Sequence, residues 1–276
     1  MSFYTSLSGL KAAQTDLSVT SNNLANVGST GFKKSRAQFG DLFASAPTQT
    51  TKMVAGQGAR LNAVVQQFKQ GTLEGTDRTL DLAIAGEGFF VTQGDPPRAA
   101  VTYTRNGAFQ VTPSRQVVDT IGSTLQLLPV DASGNVTGNT LADAFDFVLP
   151  ANAPGNPTVA LANVSIGIDG LVTATYADGS DEVLGKIAMA SFTAQEGLRP
   201  VGDAHWQSTG DSGPPAIDAA TNGPLGTIRS GALERANVDV TEELVALISA
   251  QRNFQANAKA IDTATQLSQT IINLRS

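Results

Sequence analysis

The stretch that most constrains this chain is its C-terminal forty residues. From Asn237 to Arg275 neither Gly nor Pro occurs. Asp239, with Glu242 three positions later, forms an N-terminal capping pair in which each side chain satisfies a backbone N–H that a helix leaves free. Val240, Leu244, Leu247, Phe254, Ala258 and Ile261 then recur at spacings of three, four or seven, and Leu267, Ile271 and Leu274 continue the stripe after a small phase slip. The pattern predicts one helix on the order of 50 Å long, at 1.5 Å per residue. A terminal helix of that length with an apolar seam requires a partner.

The other end of the chain offers one. Phe3, Leu7, Leu10, Leu17 and Leu24 keep heptad spacing, with Gln14 and Ser21 on the same line and small or polar residues (Ser6, Ser8, Lys11, Thr15, Asp16, Ser18) around it. The simplest arrangement pairs the two terminal helices and makes the middle of the chain an excursion between them. Periodicity alone also allows each helix to pack on an ordinary core.

Composition narrows the function. The chain has 276 residues, enough for one large or two modest domains, and a net charge of −6. That charge argues against a nucleic-acid binder, which needs a basic surface to displace counterions. No apolar run is long enough to span a bilayer, and the N-terminus has no basic region followed by an apolar core, so no cleaved secretory signal is expected. There is no cysteine and a single histidine, His205. Disulfides and thiolate metal sites are thereby excluded, and a His-based metal site or proton relay is disfavoured. No cofactor or metal is expected.

Along the chain, Asn26 to Gly31 moves from helix formers to residues that tolerate positive φ, and ends the first helix. Residues 35–71 are polar and irregular, with the Gly56-Gln57-Gly58 turn, and read as a long surface loop in which Val64 and Val65 form a short strand at most. From Thr79 the pattern turns to strands: Leu80, Leu82 and Ile84 alternate, Gly86-Glu87-Gly88 is a turn, and Phe89-Phe90-Val91 begins the next strand. Asn106-Gly107 is a hairpin signal. Residues 129–163 are rich in Ala, Asn, Pro, Gly and Thr. Strands resume at Val164, with Asp169-Gly170 and Asp178-Gly179 as turns and Gly185 to Phe192 as a strand. Residues 210–226 form a Gly/Pro/Asp/Asn linker back to the terminal helix.

Several of these blocks together resemble a known family. Asn22-Asn23-Leu24-Ala25-Asn26 followed by Thr30-Gly31-Phe32-Lys33 resembles the N-terminal signature of the rod and hook proteins of the bacterial flagellum. Ser230-Gly231-Ala232-Leu233-Glu234, Asn237-Val238-Asp239, Glu243-Leu244-Val245 and Ala250-Gln251-Arg252-Asn253-Phe254 resemble the C-terminal one. Leu80 to Ile84, Gly88-Phe89-Phe90 and Tyr103 to Gly107 are similar to the family's β domain. Gly197-Leu198-Arg199-Pro200 with Trp206, and Ile272-Asn273-Leu274-Arg275, are similar to hook proteins in particular. The motif residues so marked are Asn22, Asn23, Asn26, Gly31, Phe32, Asn237, Asp239, Gln251, Arg252 and Asn253.

The resemblance implies an α+β fold. Long N- and C-terminal helices form a coiled-coil-like pair (1–30 and 237–276), an inter-subunit segment spans 31–78, and an antiparallel β-rich domain spans 79–128 and 164–236. A short excursion at 129–163 stands where many hook proteins carry an outer domain. The implied role is a structural subunit of the flagellar hook that polymerises into a torque-transmitting helical tube; the alternative is a distal rod subunit, favoured by the short length. Copies of the chain are the first partners, followed by hook cap, distal rod and hook–filament junction proteins and the flagellar type III export apparatus. Export without a cleaved signal, to the hook or basal body outside the cell, is implied as well. Terminal helices would line the tube, β domains would form its wall through sliding polar contacts, and substitutions in 44–60 would alter its curvature. The terminal helices are expected to fold fully only on assembly, through heterologous contacts that do not close.

Apparent catalytic motifs fail on their chemistry. Gly210-Asp211-Ser212-Gly213-Pro214 looks like a serine-protease nucleophile segment, but the only histidine lies seven residues upstream rather than on a distant strand. Gly179 to Lys186 has the wrong spacing for a phosphate loop, with Ile187 where a magnesium-binding hydroxyl is needed. Gly86-Glu87-Gly88 leads into a strand, not the helix that a dinucleotide site requires. Asp131, Asp178, Asp181 and Glu182 do not match a calcium loop. His205 beside Trp206 reads as local packing. The chain is expected not to be an enzyme.

Overall fold

A computed structural model describes residues 2–43, 56–94, 100–131, 134–154 and 156–274. Most of the segment on which tube curvature was expected to depend, together with Arg275, lies outside the described residues. The chain divides into two units: one of residues 1–27, 34–67 and 238–276, the other of residues 28–33 and 68–237.

In the first unit, helix α1 runs Ser2–Ala25 and packs against helix α2, Val240–Asn273. Asp239 caps α2, its Oδ1 accepting from the backbone N–H of Thr241 at 2.8 Å and of Glu242 at 3.1 Å. The Glu242 carboxylate does not reach back to complete a capping box; it accepts from Lys34 Nζ at 3.2 Å.

Segment 35–66 is not the irregular loop expected. Strand β1 (Ser35–Phe43) pairs antiparallel with strand β2 (Gly56–Gln66). Gln38 pairs with Ala63 and Phe39 with Leu61, so Asn62 is an extra residue in β2. The bulge brings Leu61 and Val64, three apart in sequence, to the face that carries Ala37 and Phe39. Periodicity misses this hairpin because the bulge breaks the two-residue alternation on which strand recognition rests. Phe39, Leu61 and Val64 remain exposed.

The second unit is built on a fourteen-stranded antiparallel sheet. Its main path runs Asn152–Ala153, Asn156–Ile166, Leu171–Tyr176, Asp181–Ile187, Thr124–Leu128, Phe89–Gln93, Val101–Thr104, His205–Gln207, Arg199–Gly202. The central strands are apolar on both faces. Phe90 and Leu127 enter one core with Leu82, Ile84, Phe109, Phe147 and Ile228; Phe89, Val91 and Leu128 enter another with Tyr103, Phe192 and Trp206. Covering both faces explains why Phe89-Phe90-Val91 is a run and not an alternation. The second core is aromatic, with Trp206 edge-on to Phe68 at 5.3 Å and to Phe89 at 5.6 Å; each such pair adds roughly 0.5–1.5 kcal/mol beyond burial.

Four further expectations are corrected. Asn106-Gly107 is not a hairpin turn. Gly107 is required because a Cβ there would sit 1.6 Å from the carbonyl oxygen of Leu82, whose N–H bonds the Gly107 carbonyl at 3.0 Å. Strands resume at Phe145 rather than Val164, with Phe145–Asp146 and Asn152–Ala153 before Asn156–Ile166, so part of the expected excursion belongs to the main sheet. The expected strand over 185–192 is two strands, Asp181–Ile187 and Met189–Ser191, which pair with different neighbours. The linker before α2 contains a strand, Ala216–Asp218. The Asp169-Gly170 and Asp178-Gly179 turns stand as expected, with the glycines at φ +79° and +83°.

Candidate assembly surface

The apolar lines read from the sequence are not the lines the two helices bury deepest. In α1 the buried positions are Ala13, Thr20 and Asn23, with Gly9 and Asp16 half-buried; Leu7, Leu10, Leu17 and Leu24 are half-buried beside them, and Phe3 is exposed. In α2 the innermost positions are Glu243 and Ala250, at a heptad interval that continues to half-buried Asn257 and Ala264. Leu247, Phe254 and Ile261 line the same seam half-buried. Gly9 leaves room in the seam for the Asn257 side chain, which a Cβ at that position would meet at 2.7 Å.

The remaining expected seam residues face outward. Val240 and Leu244 are exposed, and Leu267, Ile271 and Leu274 are 60%, 64% and 83% exposed, as are Val245, Ile248 and Ile272. The distal half of α2 thus carries an apolar stripe with little cover within its own unit. Exposed apolar surface of this kind marks an interaction face.

Asn23, from the N-terminal motif, is the polar pin of this unit. Its Nδ2 donates to the Ser35 carbonyl at 2.9 Å and to Glu243 Oε2 at 3.2 Å, and its Oδ1 accepts from the Ser35 N–H at 2.9 Å. One buried amide therefore ties α1 to the start of β1 and to α2. Of the other motif residues in this unit, Asn26 Nδ2 bonds the Asn22 carbonyl at 3.0 Å and closes the end of α1. Gln251, Arg252 and Asn253 lie exposed on α2.

Gly31, Phe32 and Asn237 belong to the second unit. There they flank three charged residues that sequence reading passed over although all lie inside quoted motifs: Lys33, Arg105 and Glu234. Lys33 Nζ meets Glu234 Oε1 at 2.6 Å, and Arg105 Nη1 meets Oε2 at 3.2 Å; none of the three side chains is more than 2% exposed. Glu234 Oε1 also accepts from the Gly71 N–H at 2.7 Å. Lys33 Nζ donates to the Lys69 carbonyl at 2.9 Å, and Arg105 Nη2 to the Gly86 carbonyl at 3.0 Å. Burial pushes the Lys33 ammonium below the ordinary lysine range, with neighbouring Arg105 adding to the shift and Glu234 opposing it. Burial pushes Arg105 down in the same way, again against Glu234.

Residues that superficially suggest catalysis are engaged in structure. The Ser212 hydroxyl accepts from the Thr209 N–H and donates toward the carbonyls of Thr209 and Gly213. His205 is more than local packing: its Nε2 meets Asp119 Oδ2 at 2.7 Å and its Nδ1 meets the Asp203 carbonyl at 2.8 Å. Neither of these bonds leads to Ser212, whose hydroxyl is engaged with Thr209 and Gly213. Lys186 pairs with Asp169 at 2.9 Å and holds no phosphate loop. Tyr176 hydrogen-bonds Glu182. Among the described residues no group of three or more His, Cys, Asp or Glu side chains is placed to hold a metal.

The comparisons with known proteins fall on the regions just described. The flagella basal body rod protein family matches residues 3–33, the flagellar hook protein FlgE/F/G D1 domain matches 83–174, and the flagellar basal body rod FlgEFG protein C-terminal family matches 229–274. The chain is 34% identical over 275 residues to the flagellar basal-body rod protein FlgG of Buchnera aphidicola subsp. Baizongia pistaciae, covering 95% of each chain. This chain belongs to the flagellar rod and hook family. It is 32% identical to FlgG of Bacillus subtilis over 99% of its own length and 98% of that protein's. It is 26% identical to the flagellar hook protein FlgE of Escherichia coli over 411 aligned positions that cover all of both. Rod and hook proteins are structural parts of the flagellum. Among the described residues no helix is long and apolar enough to cross a membrane.

Proposed function

We propose that this chain is a subunit of the flagellar hook, polymerising through its terminal helices into a tube that transmits torque. The observation that carries polymerisation is the exposed apolar stripe of α2, from Leu267 to Leu274, on a helix whose other face packs on α1. In the tube α1 and α2 form a coiled-coil-like inner layer with their counterparts in neighbouring copies. Contacts are heterologous and non-closing, so they propagate as a helix. The exposed face of the β1–β2 hairpin, with Phe39, Leu61 and Val64, supplies a second contact between copies. Helicity of the terminal segments completes only on assembly; circular dichroism of the monomer that already shows both helices in full would contradict this.

The hook reading rests on Gly197 to Pro200 with Trp206 and on the Ile272-to-Arg275 ending. A second reading, a distal rod subunit, is favoured by near end-to-end matching with rod proteins of similar length. Further partners on either reading are the neighbouring axial proteins, the hook cap and the export apparatus. Electron microscopy of basal bodies from a strain lacking this chain separates the two. A complete rod with rings and no hook supports the hook; a rod that stops short of the outer ring supports the rod; normal flagella overturn both.

A further inference from the structure

The chain first enters the second unit through residues 28–33, leaves it for 34–67, returns at Phe68 and leaves it for the last time through residues 234–237. Segments 28–33 and 234–237 lie side by side. The Gly31 N–H bonds the Glu234 carbonyl at 2.8 Å, and the Asn237 N–H bonds the Phe32 carbonyl at 3.4 Å. Residue numbers rise together along the two, so the segments run parallel. Between them sits the 2.6 Å Lys33–Glu234 ion pair. Segment 69–72 braces both from one side: the Lys69 carbonyl accepts from Lys33 Nζ and from Asn237 Nδ2, Gly71 N–H donates to Glu234, and Arg235 N–H bonds the Thr72 carbonyl at 2.9 Å. On the other side Gly31, at φ +70°, passes so close to the Arg105–Asn106 backbone that a Cβ would approach it to 2.6 Å.

We infer that this crossing is a mechanical clamp: tension applied to the two ends of the unit is borne by the Gly31–Lys33/Glu234–Asn237 junction before it reaches the sheet. The reason is geometric. Pulling residue 28 backward and residue 237 forward draws two parallel segments past each other in shear. Shear loads the backbone bonds and the ion pair together, whereas peeling would break them one at a time. The charges resist sliding because separating Lys33 from Glu234 leaves unpaired ions in a site that excludes water. The use of such a clamp in a torque-carrying polymer rests on the proposed function; the clamp itself does not.

Force spectroscopy on the full chain tests it. The absence of cysteine allows thiol handles to be placed at will. Gly28→Cys, where an added Cβ meets nothing within 4 Å, with Val238→Cys pulls across the crossing. Ile121→Cys with Ile168→Cys, both at exposed positions, pulls on the unit along a path that avoids it. Across the crossing, the first rupture of the native chain is expected to unfold the sheet in the same event. A weaker first event that releases only the crossing segments, on the order of 35 Å of extended chain, would overturn the clamp. Glu234→Gln is expected to raise the rupture rate at fixed load at least about tenfold across the crossing and much less along the other path. An equal rise on both paths would make the triad an ordinary part of the core and overturn the inference. Should that variant not fold, the native chain's first event still decides. A failed clamp leaves the basal-body microscopy untouched, and a wrong hook or rod reading leaves the rupture pattern untouched.

Discussion

The two units invert the usual relation between charge and burial. The β unit buries an ion triad and a His–Asp pair within an apolar body, whereas the helical unit buries Asn, Thr, Glu and Ala and leaves Ile and Leu in the open. The β unit keeps its largest aromatic and aliphatic side chains in two cores, with Ile121, Val148 and Ile168 among the apolar residues left exposed. The helical unit exposes Leu267, Ile271, Ile272 and Leu274 while sealing its seam with small polar residues, and it is this open face that the proposed polymerisation would cover. Burying an amide or carboxylate in the seam adds little net stability but fixes which helix positions meet, because an unpartnered polar group there is costly.

The comparison predicts large effects inside the β unit. Glu234→Gln removes the charge that holds Lys33 and Arg105 and should cost the β unit about 3–5 kcal/mol. Urea unfolding followed by emission of Trp206, the single tryptophan, reads this unit alone; a loss under about 1 kcal/mol would mean that water reaches the triad. Asn23→Ala should cost the helical unit about 1–3 kcal/mol by removing the partner of Glu243 Oε2 and of the Ser35 N–H and carbonyl, although Glu243 keeps Lys34 at 3.8 Å. It should lower the helical signal's midpoint and leave the Trp206 transition in place; a joint shift would erase the distinction between the units. Asp239→Ala removes two backbone partners from the start of α2 and should cost about 1 kcal/mol, again only in the helical signal.

A titration sharpens the comparison from the β side. Burial, reinforced by the bond to the Glu182 carboxylate, raises the Tyr176 phenol from its ordinary 10.0 to about 12. The stability it lends is full below the ordinary tyrosine range and disappears as pH rises toward 12, because the unfolded chain loses this proton first. Absorbance at 295 nm should show two late-titrating tyrosines, Tyr103 raised by burial and Tyr176; Glu182→Gln should bring Tyr176 part of the way back, because burial remains, and leave Tyr103 unchanged. The smallest stability effect belongs to the helical surface: Ile271→Ser should change monomer stability by no more than about 0.5 kcal/mol while abolishing sedimentable polymer. A variant that destabilises the monomer and still polymerises would reverse the assignment of that stripe.

Legibility differed between the same two regions. The terminal helices, the cap at Asp239 and the Asp-Gly turns were readable because each depends on residues a few positions apart. The buried seam was misread because large apolar residues dominate a periodicity argument. Close helix packing selects small side chains such as Ala13 and Ala250, and turns part of the Leu and Ile line outward. The β1–β2 hairpin escaped because one bulged residue, Asn62, shifts the alternation on which strand reading depends. Asn106-Gly107 misled in the opposite sense: the glycine answers a carbonyl 25 residues earlier rather than a local turn.

Sequence by itself determined the helix–β–helix order, the family and the absence of thiol chemistry, because local propensity, spacing and motif identity are properties of neighbouring residues. Tertiary structure alone decided that Lys33, Arg105 and Glu234 share one site and that His205 meets Asp119. Which face of α2 stays open was likewise decided there. Those outcomes depend on which distant segments exclude water together, and a linear string of residues does not encode that in any local pattern.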